Sequence, residues 1–296
     1  MKRMLLATII VLLTASSGWC DGVDEALQNM ATQEVKNSTR LLIQNGIPDD
    51  EITKLTQLMI KEQFSQEYVL RAHEIVRNAK HEGIPPEPIM SKVSEGIAKQ
   101  VPMETIVQAM ERVRLRYAFA NEQAKNMIQD QDQVNALRNM ISDSSAAGLS
   151  NEDIGRIMSE FQKRAEQMER AHADELAMES FKTARFMARA GVPSEETKGV
   201  ICQALKRRYS AWDMITIRTR FKAQYSHSDP ESLAREYNRQ IRKGWDAETL
   251  STGGNGQLGN DDPGNPGGRN KAGGAGGQGG AGSSGGSRGQ GRGGRR

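Results

Sequence analysis

The sequence predicts an all-α protein: an irregular array or bundle of α-α hairpins with one or two long helices, followed by a disordered glycine-rich tail. Three observations lead there. A five-residue pattern of glycine, apolar residue, Pro/Ser/Asp, any residue and acid recurs five times. Between these junctions the apolar residues fall at steps of three and four, without the period-two alternation that a sheet requires. From Gly253 onward, 20 of the chain's 30 glycines crowd among Ser, Asn, Gln and Arg. Such a segment buries too little apolar surface to offset its ordering entropy.

Taken in order, the chain opens with Lys2 and Arg3, an apolar run from Met4 to Leu13, and the small residues Ala15, Ser16, Ser17 and Gly18. Residues 1–20 therefore read as a secretory signal peptide. The apolar run is about half the roughly 20 residues that span a bilayer, which disfavours a permanent anchor. Cleavage after Ser17, Gly18 or Cys20 would each suit a signal peptidase. A lipoprotein built on Cys20 is the weaker reading, because Trp19 occupies a position where lipid-modified cysteines carry a small residue. The expected location is periplasmic or secreted.

Residues 21–250 form the expected hairpin-repeat domain, and 251–296 the tail. The junctions are Gly46-Ile47-Pro48-Asp49-Asp50, Gly83-Ile84-Pro85-Pro86-Glu87, Gly148-Leu149-Ser150-Asn151-Glu152, Gly191-Val192-Pro193-Ser194-Glu195 and Gly244-Trp245-Asp246-Ala247-Glu248. Glycine just past a helix takes positive φ without a Cβ penalty, and the apolar residue after it folds back on the last turn. Pro, Ser or Asp then suits the next helix start, and an acid in the first turn meets the positive end of the dipole.

Nineteen residues after Gly46, Gly83 and Gly191 stand Ser65, Pro102 and Ser210, each preceded by an apolar residue, Phe64, Val101 and Tyr209. The repeating unit is thus a helical hairpin. After Gly148 the same offset reaches Gln167 inside a continuous helical pattern, which predicts one long helix over about 151–189. In the Gly83 unit, Ile106, Met110, Val113, Tyr117, Ala120, Ala124 and Met127 alternate steps of four and three. That heptad seam, over 106–127, suits packing inside the chain or a homodimer. Glycine spacings of 37, 65, 43 and 53 residues predict an irregular array rather than a uniform superhelix.

Charge divides the chain. Residues 21–197 carry 29 acids against 21 bases, residues 198–243 carry 11 bases against 4 acids, and the tail from 251 has 6 bases against 2 acids. The basic C-terminal third suggests an anionic partner. Lys206, Arg207, Arg208, Arg218, Arg220 and Lys222, interleaved with Tyr209, Trp212 and Phe221, are candidate phosphate contacts with aromatic platforms. Arg288, Arg292, Arg295 and Arg296 extend the list. The tail's end resembles, in composition, the arginine-glycine segments of RNA-binding proteins, although export disfavours nucleic acid as the partner. A solubilising role accounts for the tail equally well.

Signs of chemistry are sparse. His73, His81, His172 and His227 are scattered, no nucleophile-elbow motif occurs, and no motif implies a cofactor. Glu169, His172 and Glu175 share a helical face and are the metal-ligand candidates, but bundle metal sites need a second such set. Cys202 lies in an apolar stretch and reads as core. Six Phe, five Tyr and three Trp leave few of the platforms that sugar clefts need. The expectation is a non-enzymatic scaffold or interaction protein of the bacterial cell envelope. Its expected partner is an envelope protein or anionic polymer, with peripheral membrane contact or homodimerisation as further options. The alternatives are a nucleic-acid-binding protein and a metal-binding or hydrolytic envelope protein.

Overall fold

A computed structural model gives the structure of residues 21–251. The described residues contain no strand and form twelve α-helices: α1 Asp21–Leu27, α2 Gln33–Gln44, α3 Asp49–Lys61, α4 Gln66–His81, α5 Glu87–Ala98, α6 Met103–Met127, α7 Gln131–Ala146, α8 Asn151–Ala165, α9 Arg170–Arg189, α10 Ser194–Lys206, α11 Ala211–Gln224 and α12 Pro230–Arg242. Short 3-10 turns lie between α11 and α12, at Tyr225–His227, and after α12, at Ala247–Thr249. No helix among them is long and apolar enough to cross a membrane. The expected leader and the tail with Arg288, Arg292, Arg295 and Arg296 lie outside the described residues.

The five glycine junctions close their helices as the pattern predicts. Gly46, Gly83, Gly148, Gly191 and Gly244 all have positive φ, between 70° and 112°. In each, the following apolar residue donates its N–H to the carbonyl five residues back, as Ile47 does to Leu42 at 3.1 Å and Val192 to Met187 at 3.1 Å. Ile47, Ile84, Leu149 and Val192 are buried by that return.

The junctions nineteen residues on use the same left-handed turn without glycine. Gln63, Gln100 and Arg208 have φ of 61°, 54° and 63°. Phe64, Val101 and Tyr209 then donate to Met59, Gly96 and Ala204 at 2.9, 2.9 and 3.0 Å. The apolar residue ahead of Ser65, Pro102 and Ser210 is therefore the closing residue of the preceding helix.

The long helix expected over 151–189 is two helices. Residues 166–169 break it: Gln167 and Met168 donate three residues back, to Arg164 at 3.3 Å and Ala165 at 3.0 Å. Glu169 is extended, with φ −63° and ψ 144°, and starts α9. The helical apolar spacing runs through the break because Met168 packs against the core from within the turn. Reversing the chain there lets Ala173, Leu176 and Ala177 bury against the neighbouring helices, so tertiary burial overrides the local pattern. The Gly148 unit is thus a hairpin with a slightly longer first helix.

Helices α2, α4, α6, α7, α9 and α11 each pack on the next to form one row. Helices α1, α3 and α5 form a second row against it, continued by α8, α10 and α12. The irregularity sits at α6 and α7, which are consecutive yet adjacent within one row. The wide glycine spacings, Gly83 to Gly148 and Gly191 to Gly244, are the ones that hold three helices rather than two.

Two apolar clusters fill the space between rows. The first runs from Val35 to Tyr117, the second from Ala120 to Leu250. Helix α6 serves both: its seam residues Ile106, Met110, Val113 and Tyr117 belong to the first, and Ala120, Ala124 and Met127 to the second. All seven are buried by this chain's own helices, the intramolecular of the two placements the heptad pattern suits. A second copy could reach that seam only by displacing them.

Candidate functional site

The basic residues picked out in the C-terminal third are distributed over three places. Lys206 ends α10, and Arg207 and Arg208 occupy the turn between α10 and α11, where Arg208 is held left-handed. Arg207 Nη2 donates to the carbonyl of Arg242 at the end of α12, and Arg208 Nη2 lies 3.4 Å from Gln167 Oε1 in the α8–α9 turn. Tyr209 Oη donates to the Trp245 carbonyl, and burial pushes its phenol up to about 12. These bonds gather three chain reversals on one edge. Lys206, Arg242 and Lys243 are exposed there, and Trp212, at the start of α11, is 67% exposed. The Asp213 carboxylate is engaged by the Ser210 backbone and hydroxyl in a capping box, so it does not pair with these bases.

Arg218 points elsewhere, across to α9. Its Nη2 donates to Glu179 Oε2 at 2.8 Å and its Nη1 to Thr183 Oγ1 at 3.2 Å. Arg220 lies 3.5 Å from the Leu250 carbonyl and pins the end of the described chain. Lys222 is exposed. Half of the candidate cations on this stretch are thus spent on helix ends and chain closure, which linear charge counting cannot see.

The arginine turned toward α9 completes a groove that the sequence reading missed. Lys182, Arg185 and Arg189, all on α9, line it together with Arg218 and the ring of Phe186, around a volume of 190 Å³. Glu179, only 8% exposed, accepts from Lys182 Nζ at 2.5 Å as well as from Arg218. Burial alone would raise its carboxyl pKa. The bonds from Lys182 and Arg218 outweigh that and hold it below the ordinary value. Asp143 of α7 lies 3.2 Å from Arg185 Nη1 and 3.4 Å from Arg189 Nη2. Phe186 is fixed by edge-on contacts to Phe221 and Tyr225, with ring centroids 6.5 and 5.8 Å away. A second groove, of 340 Å³, lies between the α3–α4 and α5–α6 turns and is lined by Phe64, Ile97, Val101, Met103 and Ile106 with Glu62.

The metal candidates do not assemble. His172 Nδ1 lies 3.8 Å from Glu169 Oε2 with both side chains open to solvent, and Glu175 is exposed on the following turn. Among the described residues no three His, Cys, Asp or Glu side chains converge as a metal would need. Glu169 serves instead as the first residue of the α9 turn. Cys202 is buried, and burial pushes its thiol up to about 11, so it stays a thiol at neutral pH. No family model, curated protein or solved structure matches this chain.

Proposed function

We propose that this chain is an exported, non-enzymatic helical scaffold of the bacterial cell envelope. In this reading it binds an envelope protein or polymer across its helical rows and attaches to anionic material through the basic edge at its C-terminal end. The observation that carries it is that Arg207 ties the exposed end of α10, with Lys206 and Arg208, to the exposed end of α12, with Arg242 and Lys243, while α11 opens on the exposed Trp212. A cationic edge with one exposed aromatic suits a diffuse anionic surface, because many weak contacts add without a shaped pocket. Export rests on Lys2, Arg3 and the apolar run from Met4 to Leu13.

Co-sedimentation of the full-length protein with envelope vesicles tests it. Bound protein is expected to fall at least tenfold between low and physiological salt, and again in a Lys206→Gln/Arg207→Gln/Arg208→Gln variant. Salt-insensitive association, unchanged in that variant, would overturn the electrostatic attachment. The same edge favours one second reading, since Trp212 could stack on a base while the arginines contact phosphates. Gel-shift titration with single-stranded DNA separates the two: DNA binding stronger than vesicle binding at matched salt selects nucleic acid.

A further inference from the structure

We infer that the groove between α9 and α11 is a binding site for a small dianion of the phosphate-monoester class. It uses other residues and another ligand than the edge described above, and it stands independently of the scaffold reading.

Lys182, Arg185 and Arg189 recur at steps of three and four, so one face of α9 presents all of them, and Arg218 closes the groove from α11. Two carboxylates, Asp143 and Glu179, answer these four cations. The groove is left with a surplus of two positive charges. A phosphate monoester carries roughly −1.5 to −2 at neutral pH, which matches; a sulfate ester or a carboxylate carries half as much.

The two carboxylates have different roles. Glu179 is buried and holds Lys182 and Arg218 at 2.5 and 2.8 Å, so that pair of cations is fixed in place. Asp143 is 41% exposed, and one of its oxygens, Oδ2, meets both Arg185 and Arg189. An exposed ion pair contributes about 0–1 kcal/mol, so an entering dianion displaces it at little cost. Each guanidinium carries five N–H donors, and Arg185 and Arg189 each commit one nitrogen among the described residues. Two neighbouring forks with most donors uncommitted are what planar, multidentate recognition of phosphate oxygens needs.

Size and floor narrow the ligand. At 190 Å³ the groove has the volume of about six waters and falls short of the roughly 300 Å³ of sites that enclose a whole organic ligand. It therefore takes a terminal phosphate and leaves the rest of the molecule outside. The Phe186 ring provides an apolar wall that strengthens the charge interactions and offers a surface to the group carrying the phosphate.

Calorimetric titration of the full-length protein with phenyl phosphate and phenyl sulfate at pH 8 tests the site. Phosphate is expected to bind at least tenfold more tightly than sulfate, and Arg185→Gln/Arg189→Gln to lose at least tenfold in phosphate affinity. Equal affinity for the two esters, or a double variant that binds phosphate as the parent does, overturns the inference. If the double variant loses helicity, Arg189→Gln alone is decisive: its side chain is exposed, and a threefold or greater loss is still expected. Vesicle association of the same variants keeps the two ideas apart. It should follow Lys206, Arg207 and Arg208 and stay unchanged when Arg185 and Arg189 are replaced.

Discussion

Gln63 and Gln100 carry a cost that the glycine junctions avoid. Both sit in the left-handed region, at φ of 61° and 54°, where a Cβ is penalised by roughly 1–2 kcal/mol. Replacement by glycine removes that penalty but frees the unfolded chain by about 0.4–1 kcal/mol. The difference favours the folded state, so Gln63→Gly and Gln100→Gly should each stabilise by about 0.5–1 kcal/mol in urea unfolding. A loss of stability would show that the side chains hold the turns. His73 gives the pH counterpart. It is buried among α2, α3 and α4, with Nε2 2.9 Å from Thr56 Oγ1 and Nδ1 3.0 Å from Ser38 Oγ. The Thr56 hydroxyl donates to Ile52, which assigns the ring proton to Nε2. Burial pushes the imidazole down to about 4 from 6.5. Between these values the unfolded chain binds a proton that the folded one refuses, so this contribution is intact above pH 6.5 and lost as pH falls toward 4. The loss should reach about 2 kcal/mol by pH 5, and His73→Gln should flatten the pH profile between 6.5 and 5. An unchanged profile in that variant would assign the slope elsewhere.

Helix contacts discriminate between glycines that look alike in the sequence. A Cβ on Gly96 of α5 would stand 2.4 Å from Ile106 Cγ1 of α6, and Ile106 is buried and β-branched, with no room to yield. Gly96→Ala should therefore destabilise by about 1–3 kcal/mol despite alanine's better helix propensity. Gly155 of α8 meets nothing within 4 Å, so Gly155→Ala should gain up to about 1 kcal/mol. Thermal unfolding of the pair checks both signs, and equal shifts would contradict the α5–α6 contact. The hairpins themselves were legible, because glycine, closing apolar residue and first-turn acid act within a few residues of one another. The α8–α9 break was not, since nothing local marks it and only the docking of α9 requires it. The anion groove was hidden for a related reason. Lys182, Arg185 and Arg189 lie in a stretch whose summed charge is acidic, and their partner Arg218 is 29 residues beyond Arg189. Their shared helical face was readable from spacing; what lay across from it was not.

At the scale of the whole described unit, two cores share one helix, and that governs how it should unfold. Hairpin arrays are stabilised mainly by neighbouring contacts, so cooperativity can divide where a contact layer is thin. The clusters meet on α6 between Tyr117 and Ala120. Beside that point the buried Asn121 donates to the Glu82 carbonyl at 3.2 Å, while its own Oδ1 has no partner among the described residues. A buried unpaired oxygen weakens the layer in which it sits. His73 belongs to the first cluster's side, whereas Trp245 packs on the second. In the second, Asp153 and Glu179 are held below the ordinary carboxylate value against the upward push of burial, Asp153 by Ser194, Ser150 and Lys198, and Glu179 by Lys182 and Arg218. Both therefore remain ionised at pH 5, and only the first cluster loses stability on mild acidification. A cluster of about 100 residues has an m-value near 1 kcal/mol/M in urea, so about 2 kcal/mol moves its midpoint by roughly 2 M. In a Trp19→Phe/Trp212→Phe background, which leaves Trp245 as the remaining tryptophan, far-UV circular dichroism at pH 5 should show an early step at lower urea than at pH 7.5, while the Trp245 emission midpoint stays in place. If both signals shift together, α6 transmits the loss from one core to the other and the unit unfolds as one.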